Sequence, residues 1–150
     1  MHYHQSPQAR RWLYQAELLI GTPEGNDEQA VSRRSALDEA AVAMVVQALQ
    51  HFVIELVTLP PANAPAWPEV LALLPEGCAE RERLQATLIH PEGELHGLHL
   101  ACCAWQAGQP LPPRKSTQMI ASSTASLPLD ESILTLKRLM HALRESAQQW

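Results

Sequence analysis

A chain of 150 residues is the size of one ordinary domain and can bury a substantial core. Its composition, 46% hydrophobic and 18% charged, is that of a globular protein and excludes an intrinsically disordered chain. The formal net charge of −5 argues against strong binding to nucleic-acid phosphates. Three cysteines, two of them adjacent, argue against a disulfide framework.

The first predicted helix follows an N-terminal segment, residues 1–7, that we expect to be frayed. Ser6 and Pro7 are typical of a helix start, with serine as the N-cap and proline at the first helical position. An apolar stripe then predicts a helix to about Ile20, and the Gly-Thr-Pro sequence of residues 21–23 ends it.

The longest predicted helix runs from Asp27 to Leu59, and the other elements are expected to pack around it. Its apolar residues recur three and four positions apart, which gathers them on one side of a helix. Further apolar residues, Val46 and Val53 among them, interrupt the polar side. We therefore expect this helix to contact neighbours on more than one flank, and we select Val46 and Val53 as candidate partner-binding residues.

The second half of the chain predicts shorter helices that proline and glycine separate. Residues 60–68 are a proline-rich and therefore stiff linker. Helices are predicted at 69–74, 79–90 and 94–107, the last two as an αα-hairpin, and from Asp130, a good N-cap, to the end of the chain. The sequence thus predicts an all-α, single-domain bundle of about five helices over residues 1–150.

Residues 108–128 are rich in proline, serine and threonine. A structureless connection of this length is uncommon in a compact domain unless it has a function or is disordered. Met119 and Ile120 lie in its middle and would attach it to the bundle as a strap. They are candidate partner-binding residues, and burial against the bundle would remove the basis for that role.

Three stretches of the chain resemble a family of small uncharacterised bacterial helical proteins, a domain of unknown function. They are RWLYQAELL at residues 11–19, the Ala-rich helix of residues 36–59, and the C-terminal LRESAQQW at residues 143–150. The resemblance covers most of the chain. It implies a helical fold in a bacterial cytoplasm and supplies no catalytic residues.

One predicted helix carries metal-ligating residue types at helical spacing. His96, His99 and Cys103 stand at i, i+3 and i+7 and share a face. Imidazole and thiolate are zinc ligands, so the three could form an incomplete zinc site or a metal-dependent active site. The fourth ligand would come from His51, His90, His141 or Cys78. The opposing interpretation is a packed core, since the neighbouring residues are apolar and zinc sites typically use two separated ligand pairs.

A second enzymatic alternative is a helical ribonuclease. Arg83 lies seven residues before His90, which resembles the Arg–His motif with which some helical ribonucleases act on RNA phosphate near a dimer interface. Leu84 stands where those enzymes carry a polar residue. In a chain with seven histidines such a spacing also arises easily by chance.

The basic residues include scattered doublets, which we interpret as solvated helix faces, although doublets can converge in space. A helix-turn-helix over residues 79–107 would have a second helix without arginine or lysine, which makes DNA reading improbable. The doublets are Arg10-Arg11, Arg33-Arg34, Arg114-Lys115 and Lys137-Arg138.

The chain contains no nucleophile elbow, no phosphate-binding loop and no dinucleotide-binding glycine pattern. This absence favours a small non-enzymatic interaction or regulatory protein without a cofactor. We expect a protein partner or self-association, for example a homodimer. We expect neither nucleic acid nor a membrane as partner, and a soluble cytoplasmic location, since no segment is predicted to be a secretory leader or a membrane span.

Overall fold

The computed structural model describes residues 7–112 and 128–148. The predicted all-α fold is confirmed, because these residues contain five α-helices, a short 3-10 helix and no strand. The α-helices are α1 (Gln8–Gly21), α2 (Ala30–Leu56), α3 (Ala79–Leu84, continued by a π-helical turn over Gln85–Ile89), α4 (His96–Gln106) and α5 (Leu129–Gln148), and the 3-10 helix is Glu69–Leu73.

Helix α2 is the central helix, and it is buried on more than one side, as its apolar pattern predicts. It contacts α1, α4, α5 and the 3-10 helix. It is shorter than predicted, because Asp27 lies in the preceding turn, where its Oδ1 accepts a hydrogen bond from Gln29 N–H at 3.0 Å, and because Val57 is extended. Its buried apolar side chains are Ala41, Val42, Val45, Val46, Ala48, Leu49, Phe52 and Val53.

Burial corrects the interpretation of Val46 and Val53. Their exposed fractions are 3% and 0%, so both side chains belong to the hydrophobic core. A partner could reach them only by opening the fold, which makes them unsuitable as partner-binding residues. Their interruption of the polar side of α2 reflects contacts with neighbouring helices of the same chain.

Arg34 fastens the start of α2 to the end of α1. Its Nη1 donates to Thr22 O at 2.8 Å, and its Nη2 donates to Leu19 O at 3.1 Å. Its Nε donates to Asp38 Oδ1 at 3.0 Å, and both of these side chains are only 13% exposed. Because the last carbonyls of a helix lack partners within it, Arg34 satisfies the end of α1 and places a cation at the negative end of its dipole.

The π-helical turn after α3 leaves two carbonyls to accept hydrogen bonds from the start of α4. Leu95 N–H donates to Thr87 O at 2.9 Å, and His96 Nδ1 donates to Leu88 O at 2.9 Å. Between these elements lies Gly93, where a Cβ atom would stand 2.3 Å from Thr87 O. Only glycine fits so close an approach, so Gly93 sets the spacing of the α3–α4 hairpin.

Helix α5 packs beside both α1 and α2. Arg144 donates from Nε and Nη2 to the two carboxylate oxygens of Glu55 in α2, at 3.0 and 3.2 Å. Its guanidinium carbon also lies 5.2 Å from the centre of the Phe52 ring, within the range of a cation–π interaction. The buried stripe of α5 is Leu129, Ile133, Leu136, Leu139, Met140 and Leu143.

Some predictions fall at or beyond the edges of these elements. Asp130 lies one residue inside α5 and is not its N-cap, since the helix begins at Leu129. Met119 and Ile120 of the predicted strap, and the predicted frayed end except Pro7, lie outside the described residues.

By length and composition α2 could cross a membrane, but half of its most apolar window is buried inside the fold, which makes this weak evidence for a span.

The contacts of Arg34 lead to a stability prediction. The substitution Arg34→Met keeps much of the aliphatic volume and removes every hydrogen bond of the guanidinium group. We expect the free energy of unfolding to fall by about 2–4 kcal/mol, because the carboxylate of Asp38 and the carbonyls of Leu19 and Thr22 each lose a hydrogen bond from a largely buried guanidinium group. Urea denaturation followed by circular dichroism measures this loss.

Arg33→Met is the matched control for that experiment. Arg33 is 42% exposed, it pairs with the 58% exposed Asp27 at 3.2 Å, and its Nη1 donates a solvent-exposed hydrogen bond to Glu24 O. Exposed ion pairs contribute little, so we expect its loss to cost less than about 1 kcal/mol. Equal losses in the two variants would contradict the role of Arg34 as the clamp between α1 and α2.

Candidate functional site

The predicted metal-ligating face of α4 forms a hydrogen-bonded part of the core. His99 is 8% exposed, and its Nδ1 accepts a hydrogen bond from Nε1–H of the buried Trp67 at 3.0 Å. Cys103 Sγ lies 3.6 Å from Nε2 of the same imidazole. The ring of His96 lies 5.8 Å from that of His99, centre to centre, and its Nδ1 is bonded to Leu88 O.

These contacts determine the tautomer of each histidine. An indole N–H can only donate, so His99 Nδ1 is unprotonated and the proton lies on Nε2. A neutral imidazole ligates a metal through its unprotonated nitrogen, so a metal at His99 would displace Trp67. Within residues 7–112 and 128–148, no group of three or more His, Cys, Asp or Glu side chains is placed to hold a metal ion. His99 is buried while His96 and Cys103 are partly buried, and the contacts of this face give the predicted zinc site no geometric support.

The residues considered for a fourth zinc ligand are engaged in other contacts. None of them shares a hydrogen bond or ring contact with the α4 histidines among the described residues. They are His51, stacked on Trp12 with ring centroids 6.3 Å apart; His141, paired with Glu145 at 3.2 Å; Cys78, whose sulfur accepts from Arg81 N–H at 3.4 Å; and His90, bonded to Glu92 N–H at 3.1 Å.

The two adjacent cysteines are not activated as nucleophiles. Burial raises the pKa of Cys102, and the neighbouring Cys103 raises it further. Burial also raises the pKa of Cys103, with a second contribution from Glu69. Because the thiolate is the reactive form, a raised pKa lowers the reactivity of both thiols. Cys102 is a buried core side chain, whereas Cys103 is only partly buried.

The structure does not join Arg83 and His90 into a site. Both side chains are exposed, Arg83 on α3 and His90 at the point where the chain leaves the π-helical turn. His90 Nδ1 accepts from Glu92 N–H. The described part of the chain contains no hydrogen bond or ion pair between Arg83 and His90, so the ribonuclease hypothesis gains no geometric support.

A groove of about 690 Å³ lies between α1 and α5, and we call it the α1–α5 groove. Leu13 and Met140 are buried beneath it. Tyr14 and Leu134 also line it, and they are 59% and 46% exposed. Leu18 continues the surface one turn further along α1 and is 52% exposed. Large apolar side chains are therefore exposed to solvent along both helices.

Cations surround this apolar surface. The groove lining contains five arginine or lysine side chains and a single carboxylate, Glu17, although the whole chain carries a net charge of −5. The lining is Arg10, Arg11, Leu13, Tyr14, Glu17, Leu134, Lys137, Arg138, Met140, His141 and Arg144. The α1–α5 groove is thus a basic and apolar surface on an acidic protein.

The residues that the structure describes neutralise only part of this positive charge. Lys137 Nζ pairs with Glu17 at 3.2 Å, and Arg144 pairs with Glu55. The guanidinium groups of Arg10, Arg11 and Arg138 make no hydrogen bond or ion pair with any other described residue. Three of the five cationic side chains in the groove remain available to an anionic ligand.

The two helices that form the groove run antiparallel. Trp12 stacks on His51, which places the start of α1 beside the end of α2, where Arg144 meets Glu55. Lys137 meets Glu17 further along the groove. Arg138 therefore lies at the level of residue 16, about six residues or 9 Å along α1 from Arg10. The unpaired cations occupy both helices and are separated along the groove.

The sequence contained a signal for this groove that the doublet interpretation did not use. The doublets of residues 10–11 and 137–138 were interpreted as solvated faces, and they are also brought together by the packing of α5 against α1. Tyr14 and Leu18 stand one turn apart among polar positions of α1, where an apolar pair has no core to enter. Apolar residues at polar helical positions beside an arginine doublet are the signal that the sequence offers.

Comparison with known proteins identifies the family. The model of a family of unknown function, DUF6586, matches residues 1–150, and the chain belongs to that family. This confirms the resemblance to a domain of unknown function and leaves the bacterial origin as an expectation. No curated protein and no solved structure matches the chain.

The environment of His99 leads to a pH prediction. Burial lowers the pKa of His99, and the nearby His96 lowers it further. The unfolded chain therefore binds the proton first as the pH falls below about 6.5, so the folded state is most stable above that value and loses stability below it. We expect the free energy of unfolding to decline between about pH 7 and pH 5.

The variant His99→Gln isolates this contribution, because its amide oxygen can still accept from Trp67 and its side chain does not titrate. Urea denaturation at several pH values should give a smaller decline for the variant than for the wild-type protein. His141→Gln, at an exposed position, serves as the control. An equal decline in His99→Gln and the wild-type protein would contradict the assigned role of His99.

Proposed function

We propose that this member of the DUF6586 family is a non-enzymatic interaction protein that binds an acidic, partly apolar surface of a partner protein in the α1–α5 groove. The observation that carries the proposal is the convergence of five cationic side chains on an exposed apolar surface of a chain with net charge −5. Exposed apolar surface bordered by charge is typical of protein-binding sites.

The arrangement of charge and apolar surface favours an acidic protein as the partner. Tyr14 and Arg side chains are residue types enriched at the centres of protein interfaces. The unpaired Arg10, Arg11 and Arg138 would steer an acidic partner toward the groove. The acidic remainder of the molecule would repel the same partner elsewhere, which makes the groove the favoured point of contact.

Nucleic acid is a poorer match to this surface. A nucleic-acid duplex presents a continuous row of phosphates, and affinity depends on many cationic contacts. Only three of the groove cations lack an ionic partner in the described part of the chain, and the surface between them is apolar. Exposed Leu134 and Leu18 would gain nothing from a phosphate backbone, whereas they would lose contact with water against an apolar protein surface.

An enzymatic function has less support than interaction. The carboxylate and the imidazole of the groove, Glu17 and His141, are paired with Lys137 and Glu145. On α4, His99 and Cys102 are buried, and His96 is hydrogen-bonded to Leu88 O. We also propose the cytoplasm as the location, because Cys78, Cys102 and Cys103 are all free thiols, which fits a reducing compartment.

Charge reversal at Arg138 tests the proposal. Affinity purification of the tagged protein from its source cells should recover one partner protein, which is then purified and its affinity measured. We expect Arg138→Glu to weaken that affinity by about tenfold, and added salt to weaken the wild-type complex, because the groove charge steers and holds the acidic partner.

Arg83→Glu is the matched control for this measurement. It changes the net charge by the same amount at another exposed helical arginine, away from the groove. We expect it to leave the affinity unchanged. A partner that binds both variants equally well, or that binds Arg83→Glu more weakly, would contradict the assignment of the α1–α5 groove.

A further inference from the structure

We propose that the partner segment in the α1–α5 groove is a single amphipathic helix with acidic flanks, an inference that rests on the function proposed above. The groove lies between two antiparallel helices that both pack on α2. A third helix laid along it would pack against α1 and α5 and complete a four-helix arrangement with α2. Helix α1 has 14 residues and spans about 21 Å, which matches a partner helix of about four turns.

The exposed apolar residues have the spacing that a helix requires. Tyr14 and Leu18 stand one turn apart on α1, and Leu134 stands on α5. A helix in the groove would insert side chains at i, i+3, i+4 and i+7 along this line, the mode by which amphipathic helices occupy apolar grooves. Each leucine of the partner helix would contact apolar side chains of α1 on one side and of α5 on the other, and would thereby be buried.

The unpaired cations specify the flanks of the partner helix. Arg10 and Arg11 lie on α1 and Arg138 lies on α5, so both sides of the bound segment would meet positive charge. Arg10 and Arg138 are about 9 Å apart along the groove, close to two turns of helix. Two glutamate or aspartate residues seven positions apart on the partner helix would therefore each reach a cation, one at Arg10 and the other at Arg138.

Other occupants fit these features less well. An extended peptide that adds to a sheet requires an exposed strand edge, and residues 7–112 and 128–148 contain no strand. A fatty acid has an apolar chain but a single carboxylate, which cannot reach both Arg10 and Arg138. A helix can present several carboxylates at these separations together with an apolar stripe.

The test uses a defined peptide and does not require the natural partner. The probe is a fluorescein-labelled peptide of about 16 residues with leucines at i, i+3, i+4 and i+7 and glutamates seven positions apart on both flanks. One control peptide has the same net charge with two central prolines, which break the helix. A second control replaces the flanking glutamates by glutamine. Fluorescence anisotropy gives the affinity for the wild-type, Arg138→Glu and Arg83→Glu proteins.

We expect the helical acidic peptide to bind at least about tenfold more tightly than either control peptide. Its affinity should fall about tenfold for Arg138→Glu and stay unchanged for Arg83→Glu. Three results would contradict a helical partner. The first is equal binding of the proline-containing peptide, and the second is binding of sodium oleate that depends on Arg138 while no peptide binds. The third is a concentration-dependent dimer that Arg138→Glu abolishes, because a second copy of the chain would then occupy the groove.

The two proposals fail in different ways. If Arg138→Glu weakens the natural complex but the helical peptide has no advantage over its controls, the interaction function stands and the helix is rejected. If neither the natural complex nor the peptide responds to Arg138→Glu, both proposals are rejected. Circular dichroism of each variant protein excludes loss of fold as the cause.

Discussion

The burial of α2 is the constraint on which the rest of the structure depends. Apolar residues surround more than half of its circumference over residues 41–53, so no single neighbour can cover it. Helix α1 covers one side, α4 and the 3-10 helix cover another, and α5 covers a third. Because α1 and α5 share α2 as their support, they lie beside each other, and the groove between them follows from the same packing.

Polar contacts then determine where each helix sits along α2. Arg34 holds the end of α1, and Arg144 holds the C-terminal part of α5 against Glu55 and Phe52. Both are arginines whose several donors fit carbonyl or carboxylate acceptors at defined angles. These anchors give the groove a fixed register, so its cations and apolar side chains hold constant positions for a ligand. A binding site built on such supported helices is preorganised.

The sequence predicted the helices because each depends on local periodicity and on turn residues. It placed the long central helix, the α3–α4 hairpin and the C-terminal helix, with end positions shifted by a few residues. It did not predict that Val46 and Val53 are buried, because helical periodicity shows which residues share a face but not how many neighbours cover that face. It did not predict the π-helical turn over Gln85–Ile89 or the close approach of Gly93 to Thr87 O, because both depend on how this turn packs against the start of α4.

The candidate site was predicted least well, for a related reason. Arg10 and Arg138 lie 128 positions apart in the chain, and their convergence depends on the packing of α5 against α1. The α4 histidines predict a metal site because their spacing is visible within one helix. Whether a histidine ligates a metal or packs in the core depends on what accepts or donates at its second nitrogen. Here Trp67, 32 positions away, decides it for His99.

The most direct test of the central claim is site-specific photocrosslinking in the source cells. A photoreactive phenylalanine analogue replaces Tyr14 in the α1–α5 groove or, as a control of similar exposure, Leu100 on α4, which is 50% exposed. We expect irradiation to join one protein to position 14, at an acidic helical segment, and to give no such product at position 100. The same product from both positions, or a product from position 100 alone, would contradict this expectation.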